Sequence, residues 1–403
     1  MTPSANPAPR RLAVLLTHPV QYFKPVFTGL AADPGITLEV FFGCDHGTTR
    51  RLDPDFGVAF AWDSAPTEGY PHTFLSREPL AVLSHPRGGL ALARRASRAI
   101  AAWRPDAVLI FSYSPLFITA ASLLLARRGL RLWLRAETTD QALERSPWKE
   151  SLRSLALWGY YRQFDHVFPI GCHSEAHYRR LGVEAARRST VRYAVDREFF
   201  ARQVAHWRPQ RQALREEMGL PPEALVLLFA GKISPAKDPL LIPAALERLR
   251  LDPARVSLWQ RLHLVVVGDG VLRPALEEAL RTALPDRHHL VGFQNQRELG
   301  RFYALADVLL LPSRQGETWG LVVNEAQQFG CGVICSDRVG SAADLVTGWP
   351  WGRVHDSGDA EGLAEAIASM ARARPESRCP PLDLNLPHPE DLVRALQKQL
   401  RSL

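Results

Sequence analysis

The sequence contains few cysteines, no CxxC pair and no long apolar run. Its five cysteines are an odd number at wide spacings, so neither a disulfide framework nor a metal site is indicated. A reducing, cytoplasmic setting is the simplest expectation. The apolar runs Leu12 to Leu16 and Ile118 to Ala126 are too short to cross a bilayer. We therefore expect a soluble protein with no more than a peripheral membrane contact.

Acidic residues are outnumbered by basic ones, 42 against 49, which leaves a net charge of +7. An excess of this sign attracts phosphates, nucleic acids or anionic membrane surfaces, and it says nothing about fold. Part of the excess lies in two arginine clusters that could meet an anionic membrane, although a solvated face is the preferred explanation. These clusters are Arg87, Arg94, Arg95, Arg98 and Arg104, and Arg127, Arg128 and Arg131.

Short apolar runs alternate with segments of helical periodicity along most of the chain. Leu12 to Thr17 and Thr37 to Phe42 are predicted buried strands, and a helix from about Tyr22 to Leu30 lies between them. This βαβ pattern predicts a parallel sheet, and it starts again at Ala224. The fold class is therefore α/β, with two doubly wound, Rossmann-like domains facing each other across a cleft.

The domain boundaries follow from where this pattern stops and restarts. At 403 residues the chain exceeds one ordinary core. We predict an N-terminal domain at 1–200, a connection at 201–222, a C-terminal domain at 223–385 and a C-terminal helix at 386–403 that packs back on the first domain. The segment 43–74 lacks a clear period and is predicted to be an insertion or an extended loop.

Two lysines follow the first strand of the second half. Gly231 lets the backbone approach a ligand, and Lys232 and Lys237 can both reach that ligand beside a helix N-terminus. Such a pair would suit a diphosphate, although solvated loop lysines are the alternative. Further along, Gly268-Asp269-Gly270 fits a phosphate loop or simply a tight turn. Phe293 would either contact a nucleobase or pack in the core.

Two glutamates eight residues apart follow a later buried strand. Glu317 falls in a loop and Glu325 in the next helix. The backbone N–H groups of residues 319–321 (Trp319, Gly320 and Leu321) lie at the helix start and suit an anion. A buried carboxylate needs a hydrogen-bonding partner, and for Glu325 ribose hydroxyls would serve.

This ordered set, from Ala230-Gly231-Lys232 through the pair Glu317/Glu325, resembles the retaining glycosyltransferases of family 4, which have the GT-B fold. The resemblance implies that Lys232 and Lys237 neutralise the donor diphosphate. It also implies that Glu325 holds the ribose and that Glu317 contacts the transferred sugar. The family usually has Arg at the position of Lys232, which would keep the charge but not the bidentate geometry.

The first half is similar to one uncharacterised branch of that family. The branch shares the opening Thr17-His18-Pro19-Val20-Gln21-Tyr22-Phe23 and has further matches at Asp53 to Phe56, Trp62-Asp63 and 134–138. By this resemblance the N-terminal domain binds the acceptor. His18 is then a candidate catalytic group, and Gln21, Arg135 and Glu137 are candidates for the acceptor side, because they follow strand ends.

The predicted function is transfer of a sugar from a nucleoside-diphosphate sugar to a hydroxyl acceptor, which is a glycan, a lipid-linked molecule or a small molecule. Retention of configuration follows from the resemblance alone. No metal or other cofactor is expected, since two lysines can neutralise the diphosphate and Asp53-Pro54-Asp55 is interpreted as loop sequence. The alternatives are a nucleotide-sugar epimerase of the same fold and a non-catalytic nucleotide-sugar or nucleic-acid binding protein. Carboxylates in the groove argue against nucleic acid.

Overall fold

The computed structural model describes residues 8–48, 51–53, 58–60, 65–141, 143, 145–373 and 386–403, with the backbone alone at 51–53 and 58–60. Among these residues no helix is both long and apolar enough to cross a membrane. The predicted α/β fold with two doubly wound units is confirmed, because two six-stranded parallel sheets are each flanked by helices.

The N-terminal sheet has the strand order β5-β2-β1-β6-β7-β8, with every neighbouring pair parallel. Its strands are β1 Arg10–Leu16, β2 Ile36–Phe42, β5 His72–Phe74, β6 Ala107–Phe111, β7 Leu132–Arg135 and β8 His166–Val167. A separate antiparallel pair is formed by β3 Arg51–Asp53 and β4 Val58–Phe60. The helices are α1 Lys24–Ala31, α2 Pro86–Trp103, α3 Leu116–Ala126, α4 Pro147–Tyr161 and α5 Cys172–Arg180.

The C-terminal sheet repeats this plan in the order β11-β10-β9-β12-β13-β14, again with parallel neighbours. Its strands are β9 Leu225–Ala230, β10 Leu262–Val267, β11 His288–Gly292, β12 Val308–Leu311, β13 Gly332–Ser336 and β14 Gly352–His355. Its helices are α8 Leu241–Leu251, α9 Val256–Arg261, α10 Arg273–Ala283, α11 Gln296–Leu305, α12 Leu321–Gln328 and α13 Ala360–Ala373. Strands β10 and β12 are buried along their whole length, which explains their unbroken apolar sequences.

The segment predicted as the connection, 201–222, is helical and packed. It contains most of α6 Arg197–Trp207 and all of α7 Arg211–Glu217, and both helices lie against α11 of the C-terminal unit. Arg211 and Arg215 each donate to the Asp307 carboxylate at 2.6 Å. The outward faces of these amphipathic helices give the segment the polar composition of a linker.

The last helix, α14 Pro389–Arg401, packs against α1 of the N-terminal unit. Gln397 Nε2 donates to the Asp33 carboxylate at 2.7 Å, and a Cβ on Gly29 would lie 3.2 Å from Val393. The chain therefore passes between the two units twice, once before α6 and once before α14.

The segment 43–74, predicted to be an insertion or extended loop, contributes the edge strand β5 to the main sheet. Three residues are too few to show an alternating pattern, so this strand could not be recognised from its period. Asp53 ends β3, whereas Pro54, Asp55, Phe56 and the Trp62-Asp63 pair lie outside the described residues.

Candidate functional site

The predicted site residues follow the carboxyl ends of strands in both sheets, and these ends face each other. His18 follows β1 and Glu137 follows β7, whereas Lys232 follows β9 and Glu317 follows β12. Open α/β sheets bind ligands at this edge because the loops there are free to vary. The cleft between the two sheets is thus where the candidate chemistry lies.

The loops that follow β9 and β10 approach each other so closely that they need glycine. A Cβ on Gly268 would lie 1.9 Å from the Gly231 carbonyl oxygen, and both residues have positive φ angles. Ile233 N–H donates to the Asp269 carbonyl at 2.9 Å, so the Gly268-Asp269-Gly270 segment closes against the loop after β9. The tight-turn interpretation of that segment is therefore the one that the geometry favours.

Lys237 and Glu317 form an ion pair at the mouth of the C-terminal sheet. The Ser313 hydroxyl donates to the same Glu317 oxygen at 3.1 Å. Both charged side chains are largely buried, at 25% and 11% exposed, so the pair is shielded from solvent more than a surface pair would be. This arrangement holds an ammonium group and a carboxylate in fixed positions after the carboxyl ends of β9 and β12.

The start of α12 lies beside that ion pair. Gly320 precedes the helix with φ 89°, and no side chain caps the first turn. Within the part of the chain that the structure describes, the N–H groups at this helix start therefore have no side-chain acceptor and remain suited to an anion.

The Trp319 side chain faces away from these groups. Its Nε1 donates to Asn324 at 2.8 Å, and a Cβ on Gly171 would lie 2.4 Å from its ring. The indole thus packs in the domain interface, and only the Trp319 backbone stays beside the helix start.

Glu137 belongs to the N-terminal unit, and its side chain contacts the C-terminal unit near the start of α12. Its carboxylate accepts a hydrogen bond from the Tyr193 hydroxyl at 2.6 Å and another from the Thr318 hydroxyl at 3.2 Å. Thr318 adjoins Glu317, so the predicted acceptor-side carboxylate and the predicted donor-side cluster lie next to each other.

Glu325 is fully buried between two tyrosines. Tyr22 of the N-terminal unit donates to one carboxylate oxygen at 2.8 Å, and Tyr303 donates to the other at 2.8 Å. Burial raises the pKa of Glu325, although the hydrogen bonds from Tyr22, Tyr303 and Gln296 oppose that rise. Tyrosine hydroxyls thus take the place predicted for ribose hydroxyls, and a ribose would reach Glu325 only if Tyr22 moved.

Arg135 and Gln21, both predicted on the acceptor side, are buried. Arg135 donates to the Val191 carbonyl at 3.0 Å and lies over the Tyr193 ring at 5.2 Å. Burial lowers the pKa of Arg135 to about 10. Its guanidinium is used within the domain interior and is not presented to the cleft. The Gln21 side-chain oxygen is buried and has no hydrogen-bond partner among the described residues, beside a cavity of about 1260 Å³ between the units.

His18 is held in its neutral form. Its Nδ1 lies 2.9 Å from the Thr17 hydroxyl, and the His46 ring lies edge-on at 5.3 Å. Burial, together with the charge of His46, lowers the pKa of His18 to about 4. The imidazole is therefore uncharged at neutral pH and can take part in hydrogen bonds through its ring nitrogens. Phe293, Lys232 and Leu321 are half-buried at the opposite, C-terminal side of the cleft.

The fold and this cleft define a class of two-domain α/β proteins that hold a ligand between facing sheet edges. Two family models match the chain: "Glycosyl transferase 4-like domain" over residues 20–194 and "Glycosyl transferases group 1" over residues 210–378. Together they span most of both units. Each unit of the chain thus matches a glycosyltransferase family model, and the predicted family resemblance is confirmed.

Curated relatives match over one part of the chain. D-inositol 3-phosphate glycosyltransferase 2 of Catenulispora acidiphila is 36% identical over 206 residues, which cover 48% of this chain and 45% of the relative. D-inositol 3-phosphate glycosyltransferase of Saccharomonospora viridis is 35% identical over 197 residues, covering 47% and 43%. The aligned part of the chain thus spans less than half of each relative's length.

Solved structures share the fold over nearly the whole chain. Sucrose-phosphate synthase from Thermosynechococcus elongatus superposes with a TM-score of 0.68 at 18% identity, covering 98% of each chain. HepE of Anabaena in complex with UDP and glucose gives 0.68 at 15% identity, covering 97% of this chain and 99% of its own. These likenesses support the GT-B architecture.

Three residues of the site were missed by sequence reasoning, and each joins the two units. Tyr22 donates to Glu325, and the Tyr193 carbonyl accepts from Asn324 Nδ2 at 3.2 Å while its hydroxyl donates to Glu137. Asp344 accepts from the Cys172 backbone N–H at 2.9 Å, at the start of α5. Their positions follow from packing between units that are distant in sequence, so no local pattern marks them. Only Tyr22 lies in a segment that had been singled out, the opening 17–23.

Proposed function

We propose that this protein transfers a sugar from a nucleoside-diphosphate sugar to a hydroxyl acceptor. The observation that carries the proposal is the ion pair of Lys237 and Glu317, which lies beside the uncapped start of α12. The Glu137 carboxylate of the facing unit lies next to this group. The matches to the two family models and the UDP and glucose bound to the similarly folded HepE support the same donor class.

Breaking the bond between the anomeric carbon and the diphosphate places negative charge on the leaving phosphate. Lys237, Lys232 and the N–H groups at the start of α12 would stabilise that charge with little reorganisation. Lys237 would then exchange its partner Glu317 for the diphosphate, which frees the carboxylate to accept hydrogen bonds from sugar hydroxyls. Because these cations belong to the protein, we propose that no metal ion is required.

The acceptor side is proposed to lie around Glu137 and His18. Glu137 can orient an acceptor hydroxyl through its carboxylate, and neutral His18 can form a hydrogen bond with the same acceptor. We propose that the reaction retains the anomeric configuration, as the family resemblance implies. We also propose a peripheral contact with an anionic membrane, since the arginines of α2 are exposed.

The test is an incubation with a panel of nucleotide sugars and simple acceptors, with and without chelator. Release of nucleoside diphosphate identifies the donor, and the proton coupling of the new anomeric centre reports retention or inversion. We expect turnover of one donor, unaffected by chelator, with a retained centre. Conversion of the sugar without release of diphosphate would instead indicate an epimerase.

A further inference from the structure

Helix α4 carries a stripe of large apolar side chains that the fold leaves open to solvent. Trp148, Leu152 and Leu155 are 62%, 60% and 65% exposed, and Trp158 is 43% exposed. Spacings of four, three and three residues place them along one helix face. The opposite face is already used, because Leu157 and Tyr161 are buried in the core beneath the sheet. We name these four exposed side chains the α4 stripe.

Cationic groups border the α4 stripe. The Lys149 ammonium lies 5.5 Å from the Trp148 ring, and the Arg162 guanidinium lies 4.3 Å from the Trp158 ring. Glu150, the acidic residue of α4, faces inwards and is paired with Arg153 and Arg180. The border of the stripe is therefore positively charged.

The neighbouring helices extend this surface. Helices α2, α3 and α4 pack on the same side of the N-terminal sheet, in one shared core cluster. Neither α2 nor α3 contains an acidic residue. Their outer faces expose Arg94 and Arg98 on α2 and Leu116 and Leu123 on α3.

We propose that the α4 stripe is a membrane-docking surface that inserts into the interface of an anionic bilayer. Tryptophan and leucine side chains beside lysine and arginine match the layered polarity of that interface, with acyl chains below and anionic headgroups above. Charge complementarity selects this occupant, because the arginines of α2 lie on the same side and would meet the headgroups.

The surface is connected to the acceptor side of the cleft. Helix α4 follows the loop that carries Glu137, and Arg153 Nη2 donates to the Thr138 hydroxyl at 3.3 Å. Docking through α4 would hold this loop near the bilayer. A lipid-linked acceptor would then reach the cleft from the membrane, an extension that rests on the proposed function.

The experiment is co-sedimentation of the full chain with vesicles of phosphatidylcholine containing phosphatidylglycerol, and with vesicles of phosphatidylcholine alone. The stripe variant is Trp148→Ser/Leu152→Ser/Leu155→Ser. The matched control is Leu251→Ser/Val271→Ser, which removes two side chains of the C-terminal unit that are 62% and 77% exposed. Thermal unfolding checks that both variants fold.

We expect binding to the anionic vesicles, at least about tenfold weaker partition for the stripe variant and little change for the control. Equal binding of the stripe variant and the parent, or no binding by the parent, would overturn the proposal. So would a parent that forms dimers without lipid and a stripe variant that is monomeric, because the stripe would then be a protein interface. Donor hydrolysis without vesicles is measured in parallel. If the parent protein does not hydrolyse any donor, that result would count against the proposed function. The vesicle-binding result would not be affected by it.

Discussion

Replacing Tyr22 by phenylalanine tests the contact that joins the two units at Glu325. The substitution removes one O–H donor from a buried carboxylate and keeps the ring that packs around it. A hydrogen bond to a charged group contributes about 1.5–3 kcal/mol, and a buried acceptor left unsatisfied costs a similar amount. We therefore expect Tyr22→Phe to lower the free energy of unfolding by about 1.5–3 kcal/mol, measured by urea denaturation.

Tyr303→Phe is the matched control, because Tyr303 donates to the other oxygen of the same carboxylate at the same 2.8 Å. Its hydrogen bond lies within the C-terminal unit, so only Tyr22→Phe weakens contact between the units. We expect hydrogen exchange at the start of α1 and at the domain interface to rise in Tyr22→Phe and to stay unchanged there in Tyr303→Phe.

The two variants should also differ in nucleotide binding. If a donor ribose must take the place of Tyr22 at Glu325, the Tyr22 hydrogen bond opposes donor binding. Its removal should tighten the binding of a nucleoside diphosphate by tenfold for about every 1.4 kcal/mol that opposed it. Calorimetry measures this change. A Tyr22→Phe variant as stable as the parent and with unchanged nucleotide affinity would refute the reasoning.

Three further predictions concern the stability of the folded chain. Because the pKa of Glu325 is raised in the folded state, its contribution to stability is complete below the usual Glu pKa and is lost as pH rises through the folded pKa. Glu325→Gln should therefore gain stability relative to the parent as pH rises from 5 to 8 in urea titrations, and a pH-independent difference would contradict this. A Cβ at Gly340 would lie 1.8 Å from the Thr318 carbonyl oxygen, so Gly340→Ala should cost about 2 kcal/mol or more in thermal unfolding. A Cβ at Gly159 in α4 would have no atom within 4 Å. Because alanine is favoured over glycine inside a helix, Gly159→Ala should stabilise the protein by about 0.5–1 kcal/mol.

The strands of the two sheets could be predicted from sequence wherever they are buried on both faces. Continuous apolar runs such as those of β1 and β12 are typical of strands that are buried on both faces of a parallel sheet. The edge strand β5 has three residues, and its pairing is decided by its neighbour in the sheet. No local pattern could have revealed it.

The candidate site shows the same division. Lys237 and Glu317 come from two loops at adjacent strand ends, so the topology predicts that they meet. Arg135 also lies at a strand end, as the last residue of β7, but its guanidinium turns into the domain and donates to the Val191 carbonyl. The direction of a side chain at a strand end depends on packing from other segments, which a pattern of residue types does not contain. The tyrosines at Glu325 and Glu137 were missed for this reason.

The central claim is that Lys237 stabilises a departing diphosphate, and the most direct measurement is the rate of nucleoside diphosphate release from the preferred donor. Lys237→Ala is compared with Lys398→Ala, which removes an exposed lysine of α14. Lys398 is not one of the candidate site residues. Loss of one electrostatic group at the leaving phosphate should lower kcat by about 10²-fold or more. The account predicts that loss for Lys237→Ala alone. A folded Lys237→Ala variant that releases diphosphate as fast as the parent would contradict it.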